Sequence, residues 1–458
     1  LVRIALPGLL LAFLAGCSLQ PAYERPPAPV AADFPSGPAY KAAQGGAERR
    51  TLAADTGWRD FLRDPRLQRL VEIALANNRD LGVAMLNVEQ ARAQSRIQRA
   101  ALLPQAGAFA NGMRSDTSSN YQVGATLSWE IDLFGRLQSL HDAALQQYFA
   151  TSYASRAAQI LLVSQVADQY LALLALDEQL QITLRTAATA RSSYDIVKLQ
   201  FDAGTGTELA LRQAQGVVEQ TQASYAALIR SRAQAQNALT LLIGEPLPAE
   251  LPPAMRLNAQ PILADIPEGL PSDLLSRRPD ILQAESLLKS ENANIGAARA
   301  AFFPRISITG ILGLASPALS GLFASGTSAW SLAPSIAAPI FDAGALAANL
   351  DVARVRKDIG VAQYEKAIQA AFREVADGLA ARGTYDDELA ALERYSSAQQ
   401  RRLALADFRY RNGVENYLAV LTAQTDEYNA ELAVVATRMR RLANRVDLYR
   451  ALGGGWRD

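Results

Sequence analysis

The sequence predicts a mainly α-helical chain that adds four β-strands to a membrane β-barrel, built as two internal structural repeats. Three observations carry that expectation. Arg99-Ala100-Ala101-Leu102-Leu103-Pro104 recurs as Arg299-Ala300-Ala301-Phe302-Phe303-Pro304 at a shift of 200 residues; past that point a shift of 209 maps Gly135 on Gly344, Gly204 on Gly413, Leu209 on Leu418 and Gly244 on Gly453. Long stretches lack Pro and Gly, Arg136 to Phe201 above all. Each copy also holds a segment of alternating apolar and polar residues between its first two helices. A period this long, against roughly 20–50 residues for solenoids, marks a duplicated fold unit.

At the N-terminus, Arg3 precedes an apolar run from Ile4 to Ala15, too short to cross a bilayer but suited to a secretory signal. The run ends in Leu14-Ala15-Gly16-Cys17, which resembles the bacterial lipobox, so residues 1–16 are expected to be removed and Cys17 to carry a palmitate-type lipid. Numbering from Leu1 further suggests a precursor shown whole. Ser18 in place of Asp after the cysteine suggests sorting to the outer membrane. A Pro-rich segment follows (Pro21, Pro26, Pro27, Pro29), whose composition favours an extended tether within the lipid-anchored stretch 17–66.

Repeat 1 spans 67–244 and opens with a helical pattern from Leu67 to Leu103, ended by Pro104. Its hairpin, 105–135, centres on Tyr121, Val123, Ala125, Leu127, Trp129, Ile131 and Leu133, separated mostly by polar residues. Period two over this length predicts a strand with one dry and one wet face, rising roughly 30 Å along a membrane normal when tilted. A helix from Arg136 to Phe201, roughly 100 Å if unbroken, carries Val163, Val166, Tyr170, Leu173, Leu180 and Leu184 at coiled-coil spacing, with Asp177 interrupting. Gly204-Thr205-Gly206 breaks it, and a third helix runs from Glu208 to Ile243. A Pro-rich linker, 245–271, leads to repeat 2 (272–453), with helices from Asp273 to Ala301, Ala345 to Tyr410 and Glu415 to Ala451 and a hairpin at 305–343. Residues 454–458 form a tail.

Composition narrows the function classes. Lys+Arg 45 against Asp+Glu 45 gives no electrostatic case for nucleic acid, and one His (His141), four Met and one Cys make zinc or copper sites improbable. No nucleophile, base and orienting group recur together, so an enzyme is not expected. Asp80 and Asp280 read as helix caps rather than a catalytic pair. With no second apolar helix expected to cross a bilayer, insertion falls to the strands.

Four strands cannot close a barrel, and open edges in lipid would leave unpaired backbone groups at several kcal/mol each, so sister chains must complete it. Eight strands from a dimer would leave an interior filled by side chains; twelve from a trimer leave an aqueous lumen, and geometry favours the trimer. Trp129 and Trp330 near strand ends fit membrane-interface aromatics.

The lipobox, the duplicated plan, Trp129-Glu130-Ile131-Asp132-Leu133-Phe134-Gly135-Arg136-Leu137, Pro339-Ile340-Phe341-Asp342 and Tyr410-Arg411-Asn412-Gly413-Val414-Glu415-Asn416-Tyr417-Leu418-Ala419-Val420-Leu421-Thr422-Ala423-Gln424 resemble the TolC-type outer-membrane efflux channels, in their OprM/NodT-like lipoprotein branch. The resemblance implies a homotrimer with a twelve-stranded barrel and a helical periplasmic tunnel. It also implies a periplasmic adaptor (membrane fusion) protein and an inner-membrane pump of the RND class as partners, outer-membrane lipid as surroundings, and no cofactor beyond the lipid on Cys17. Drugs or other small toxic compounds would be the cargo.

The helix breaks would then form a periplasmic gate, with Asp202, Glu208, Arg409, Arg411 and Glu415 as candidates. Glu415 matches a pore-facing acid of the family, where three copies would make a cation-selective ring; it also suits the first turn of a helix. Thr422 stands where many relatives have Asp. Arg409 and Arg411 either tie the closed tip or simply stabilise a helix C-terminus. Competing readings are a lipid-anchored periplasmic coiled-coil scaffold or adaptor and, within channels, a type I protein secretion or metal efflux duct.

Overall fold

The computed structural model describes residues 18–41, 52–263, 267 and 271–455, so the signal segment and Cys17 lie outside the described residues. In copy 1 a short α1 (Trp58–Phe61) precedes α2 (Pro65–Asn77) and α3 (Arg79–Ala100), then the hairpin β1 (Gln105–Arg114) and β2 (Ser119–Ile131), then α4 (Arg136–Asp202) and α5 (Glu208–Ile243). Copy 2 follows with α6 (Pro271–Arg277), α7 (Pro279–Ala300), β3 (Arg305–Ser316), β4 (Ser328–Ala337), α8 (Ala345–Arg411) and α9 (Tyr417–Ala451).

The first helix expected in each copy is in fact two. Asn78 ends α2 and caps α3: its Oδ1 accepts from the Leu81 N–H at 2.9 Å while its Nδ2 donates to the Leu242 carbonyl at 2.8 Å. In copy 2 Arg278 takes over, donating from Nη1 to the Ala451 carbonyl, the position equivalent to Leu242, at 2.8 Å. Asp80 and Asp280 are therefore first-turn residues rather than caps, with Asp280 Oδ1 accepting from the Ile281 N–H.

The duplication extends to the backbone. Gly135 and Gly344 (φ 68° and 88°), Gly204 and Gly413 (74° and 72°), and Gly244 and Gly453 (76° and 83°) are left-handed pairs at the 209-residue shift. This region costs a side chain roughly 1–2 kcal/mol, which glycine avoids. The helix caps repeat too: Thr207 Oγ1 accepts from the Ala210 N–H, and the equivalent Asn416 Oδ1 from the Ala419 N–H, both at 3.2 Å. With Asn416 as cap, α9 starts at Tyr417 rather than Glu415.

Two compact units emerge, and each draws on both copies. One comprises the chain up to Pro29, Ala84–Ser155 and Asp280–Ile368; the other Val30–Val83, Arg156–Pro279 and Gln369–Asp458. The first holds the sheet, antiparallel in the order β1-β2-β3-β4. In it the Pro-rich N-terminal segment is extended, as composition predicts, but tied down. Arg25 grips Glu285 through Nε (3.0 Å) and Nη2 (2.8 Å), Tyr23 donates to the same carboxylate at 3.2 Å, and Asn292 Nδ2 donates to the Pro21 carbonyl at 2.8 Å.

The second unit is held by a packed core. Trp58, Phe61 and Leu62 are fully buried, and Phe61 stacks on Tyr449 with ring centroids 4.0 Å apart. Buried Asp64 caps α2 through the Arg66 and Leu67 amides and also receives Tyr170 Oη and Gln260 Nε2, so the carboxylate is satisfied on all sides. Of the predicted α4 stripe, Val163, Val166, Tyr170, Leu173 and Leu180 are buried, whereas Leu184 is exposed; Asp177 pairs with Arg232. Contrary to the composition-based expectation, α4 is long and apolar enough to cross a membrane, but its apolar window is 61% buried inside the protein. Such burial is what a core helix needs, and lipid is not required to explain its hydropathy.

Candidate functional site

Strand register sorts the sheet into two faces. Residues paired across antiparallel strands share a face, which sets Tyr121, Val123, Ala125, Leu127, Trp129 and Ile131 beside Ile306, Ile308, Leu312 and Leu314, and these beside Trp330, Leu332, Pro334 and Ile336. The opposite face is mostly polar, carrying Gln122, Thr126, Ser128, Glu130, Ser307, Thr309, Ser331 and Ser335, with Phe109, Met113 and Ile311 among them. Leu127, Leu312, Leu332 and Ile336 are exposed in the single chain, and Trp330 is 76% exposed. An apolar face of this extent needs lipid or protein over it. Register aligns Ala125 with Leu312 and Leu312 with Trp330, so Trp129 lies four residues along β2 from the row of Trp330. Trp129 Nε1 donates to the Leu102 carbonyl at 3.1 Å, where α3 gives way to the sheet.

Two glycines thin the polar face. Gly124 and Gly313 are register partners, and a Cβ on either would strike the backbone of the other's strand. At the sheet's helix end Arg136 binds both oxygens of Glu130 at 2.8 Å, bracing the start of α4 against β2.

Among the described residues the outer edges of β1 and β4 have no strand partner. Their backbone groups are complementary to another sheet edge, which is the geometry of a heterologous contact between sister chains.

The helix breaks form a second candidate site. Glu415 Oε2 accepts from Arg409 Nε at 3.2 Å across the α8–α9 turn, with both side chains partly exposed. Arg411 does not cross the turn: it pairs with Asp407 on its own helix at 2.9 Å. In copy 1 both acids are likewise held locally, Asp202 by Lys198 at 2.6 Å and Glu208 by Arg212 at 3.4 Å. Thr422 Oγ1 donates to the Leu418 carbonyl within α9.

Residues outside the predicted gate set knit the two breaks together. Tyr410 Oη donates to Gln200 Oε1 at 2.6 Å and meets Tyr417 edge-on at 5.4 Å, over a cluster of Val197, Ala214, Ala406, Val420 and Ala423. Burial first, then Tyr410, pushes the Tyr417 phenol up to about 12, so it stays neutral at physiological pH. The available signal was the Tyr pair flanking Asn412-Gly413. Nearby, Gln424 is 2% exposed with neither amide atom bonded, at the wall of a cavity of about 520 Å³ that Asp407, Arg411 and Glu427 also line. Among the described residues no group of three or more His, Cys, Asp or Glu is placed to hold a metal ion.

Known proteins agree with this geometry. The model of a family described as outer membrane efflux protein matches residues 70–245 and 270–454, one match per repeat. The chain is similar to the toluene efflux pump outer membrane protein TtgC of Pseudomonas putida, 45% identical with 97% of this chain and 93% of the relative covered. It is similar to the solvent efflux pump outer membrane protein SrpC of Pseudomonas putida, 46% identical over 99% of this chain and 98% of the relative. Among solved structures, the open state of the MtrE outer membrane channel of Neisseria gonorrhoeae superposes with a TM-score of 0.87 at 41% identity, covering 96% of this chain and 99% of that one. With both repeats matched and the fold shared along its length, the chain belongs to the outer membrane efflux protein family, whose members are passive ducts and not enzymes.

Proposed function

We propose that this protein is the outer-membrane exit duct of a tripartite efflux system, a homotrimer in which β1 of one chain pairs with β4 of the next to close twelve strands around an aqueous lumen. The observation that carries this reading is the sheet itself, with one exposed apolar face, one polar face and two open edges. Three copies satisfy every edge, and the apolar face meets lipid. Trp129 and Trp330 act as interface anchors, and Cys17 carries the lipid that tethers each chain.

The duct does no chemistry. A periplasmic adaptor and an inner-membrane RND pump supply drugs, solvents or other small toxic compounds, consistent with the toluene and solvent pumps to which TtgC and SrpC belong. Glu415 forms a ring of acids at the periplasmic gate, each held at rest by Arg409, with Asp202, Glu208 and Arg411 as flanking charges.

The test is conductance of the purified trimer in planar bilayers, with heat-modifiable migration on gels as the assembly readout. Glu415→Ala is expected to raise single-channel conductance and weaken block by multivalent cations. Unchanged values remove Glu415 from the gate; a detergent-free soluble monomer would favour a lipid-anchored scaffold and sink the channel reading.

A further inference from the structure

In the sheet-bearing unit, the two copies of the helix that leads into the sheet treat one face oppositely. On α7, Asn292 and Arg299 hold the Pro21 and Leu19 carbonyls at 2.8 and 3.3 Å, and a Cβ on Gly296 would collide with Gln20. The N-terminal segment fills this face. The equivalent residues of α3 are Arg92, Arg96 and Arg99, one face of the helix at i, i+4 and i+7, and among the described residues all three are exposed. Instead they line a cavity of about 270 Å³ together with Ser95, His141 and Tyr148.

The arginines are exposed, but two features give this face a built wall. Ser95 is buried at its wall, and His141 Nδ1 is a buried atom with no hydrogen-bond partner. Of the nearby acids, Glu89 sits 3.7 Å from Arg92 on the same helix and offsets part of its charge, while Asp142 is engaged elsewhere, accepting from Gln138 at 2.9 Å. Copy 2 keeps neither the histidine nor the tyrosine, having Leu350 and Lys357 at those positions.

Three guanidinium groups, two hydroxyls and an imidazole offer an oxyanion many N–H and O–H donors, and paired guanidinium N–H groups match phosphate oxygens two at a time. We infer that this cavity binds a phosphate group, and that its occupant is the headgroup phosphate of an anionic phospholipid.

The lipid source rests on the outer-membrane reading and on placement within the unit. Arg99 is one residue from the end of α3 and His141 five residues into α4, so the cavity begins within about two helical turns, roughly 10 Å, of the sheet and runs on from there to Arg92 and Tyr148. Trp129, bonded to Leu102 at that same junction, marks the boundary of the apolar face. Basic pockets at this level of a membrane protein suit lipid headgroups.

The trimer, stripped of lipid in neutral detergent, would be titrated by calorimetry with short-chain phosphatidylglycerol, short-chain phosphatidylcholine and inorganic phosphate. Saturable binding of phosphatidylglycerol at one per chain is expected, weakened about tenfold or more by Arg96→Gln/Arg99→Gln and less by His141→Leu. Inorganic phosphate should bind more weakly and compete. Phosphate binding as tight as the lipid's would keep the anion site and overturn the lipid as occupant. Titrations indistinguishable between wild type and the double variant would overturn the site itself. If the double variant instead loses heat-resistant assembly with lipid binding unchanged, the arginines bind a sister chain and the proposal fails. Conductance measured on the same preparations keeps the duct reading separate, since a channel that conducts without binding refutes only this site.

Discussion

Copy 1 and copy 2 share glycine turns, helix caps and strand order, yet neighbours treat them differently. Asp168 and Asp377 occupy equivalent positions on α4 and α8. Asp377 is exposed and pairs with Arg373 at 3.8 Å, whereas Asp168 Oδ1 is buried without a partner. Burial, then the Asp447 charge, push the Asp168 carboxyl up to about 7, with Arg450 opposing. A duplicated backbone therefore gives equivalent positions and not equivalent environments. What decides each environment is whichever segment happens to pack there.

The sharpest way to break the equivalence is at the shared glycines. A Cβ on Gly244 would run into the Asn77 carbonyl, whereas one on Gly453 would sit 3.2 Å from the equivalent Arg277 carbonyl. Gly244→Ala is expected to cost about 3 kcal/mol, from the left-handed backbone plus the clash, and Gly453→Ala about 1–2 kcal/mol. Thermal unfolding of both variants checks the order; equal losses would mean the two turns relax alike.

Asp168 sharpens the contrast by pH. Its folded value, about 7, lies above the unfolded one, so the native state holds an extra proton between roughly pH 4 and 7 and stability falls as pH rises through that window. Asp168→Asn should remove the decline and add on the order of 2 kcal/mol at pH 8, while Asp377→Asn leaves the profile as it was. Unfolding midpoints from pH 5 to 8 decide it, and a wild-type slope retained in Asp168→Asn would refute the assignment.

The N-terminal segment is the third point of difference. Burial alone would raise the Glu285 carboxyl, but Lys289 and Arg25 outweigh it and hold it below the usual range. Copy 1 has Met85 at this position. Glu285→Met should free the segment at a cost of about 1–2 kcal/mol, since Arg25 is half exposed and can rehydrate, and chymotrypsin should then cut after Tyr23, which Glu285 otherwise holds. Protection equal to wild type would mean that the Pro21 and Leu19 contacts suffice.

These contrasts also show what could be read from residues alone. The strands were legible because alternation from Tyr121 to Ile131 is a local signal, and the tips because Gly204 and Gly413 punctuate long helices that hold no proline. The break at Asn78 was not, since a polar residue inside a helical pattern becomes a cap only through its bond to Leu242, which lies far along the chain. At Arg278 a local signal existed in Pro279, a good first helical residue. The segment bound to Glu285 read as a free tether because its partners lie about 260 residues away. Glu415 was legible as a tip acid by resemblance, but its tie to Arg409 across the turn needed coordinates.

The tips offer the smallest energetic effect and the most direct functional one. In copy 1 both acids are held within their own helices, whereas the Arg409–Glu415 pair bridges the turn of copy 2. All are exposed pairs, each contributing about 0–1 kcal/mol, so Arg409→Ala and Lys198→Ala should shift unfolding by less than about 1 kcal/mol alike. Only the bridging pair constrains the angle between two helices, because an i,i+4 pair cannot act beyond its own helix. Arg409→Ala should therefore speed amide exchange across 412–416 and raise conductance, and Lys198→Ala should do neither. Equal responses from the two variants would mean that the turn is held by Tyr410, Tyr417 and Gln200 rather than by charge.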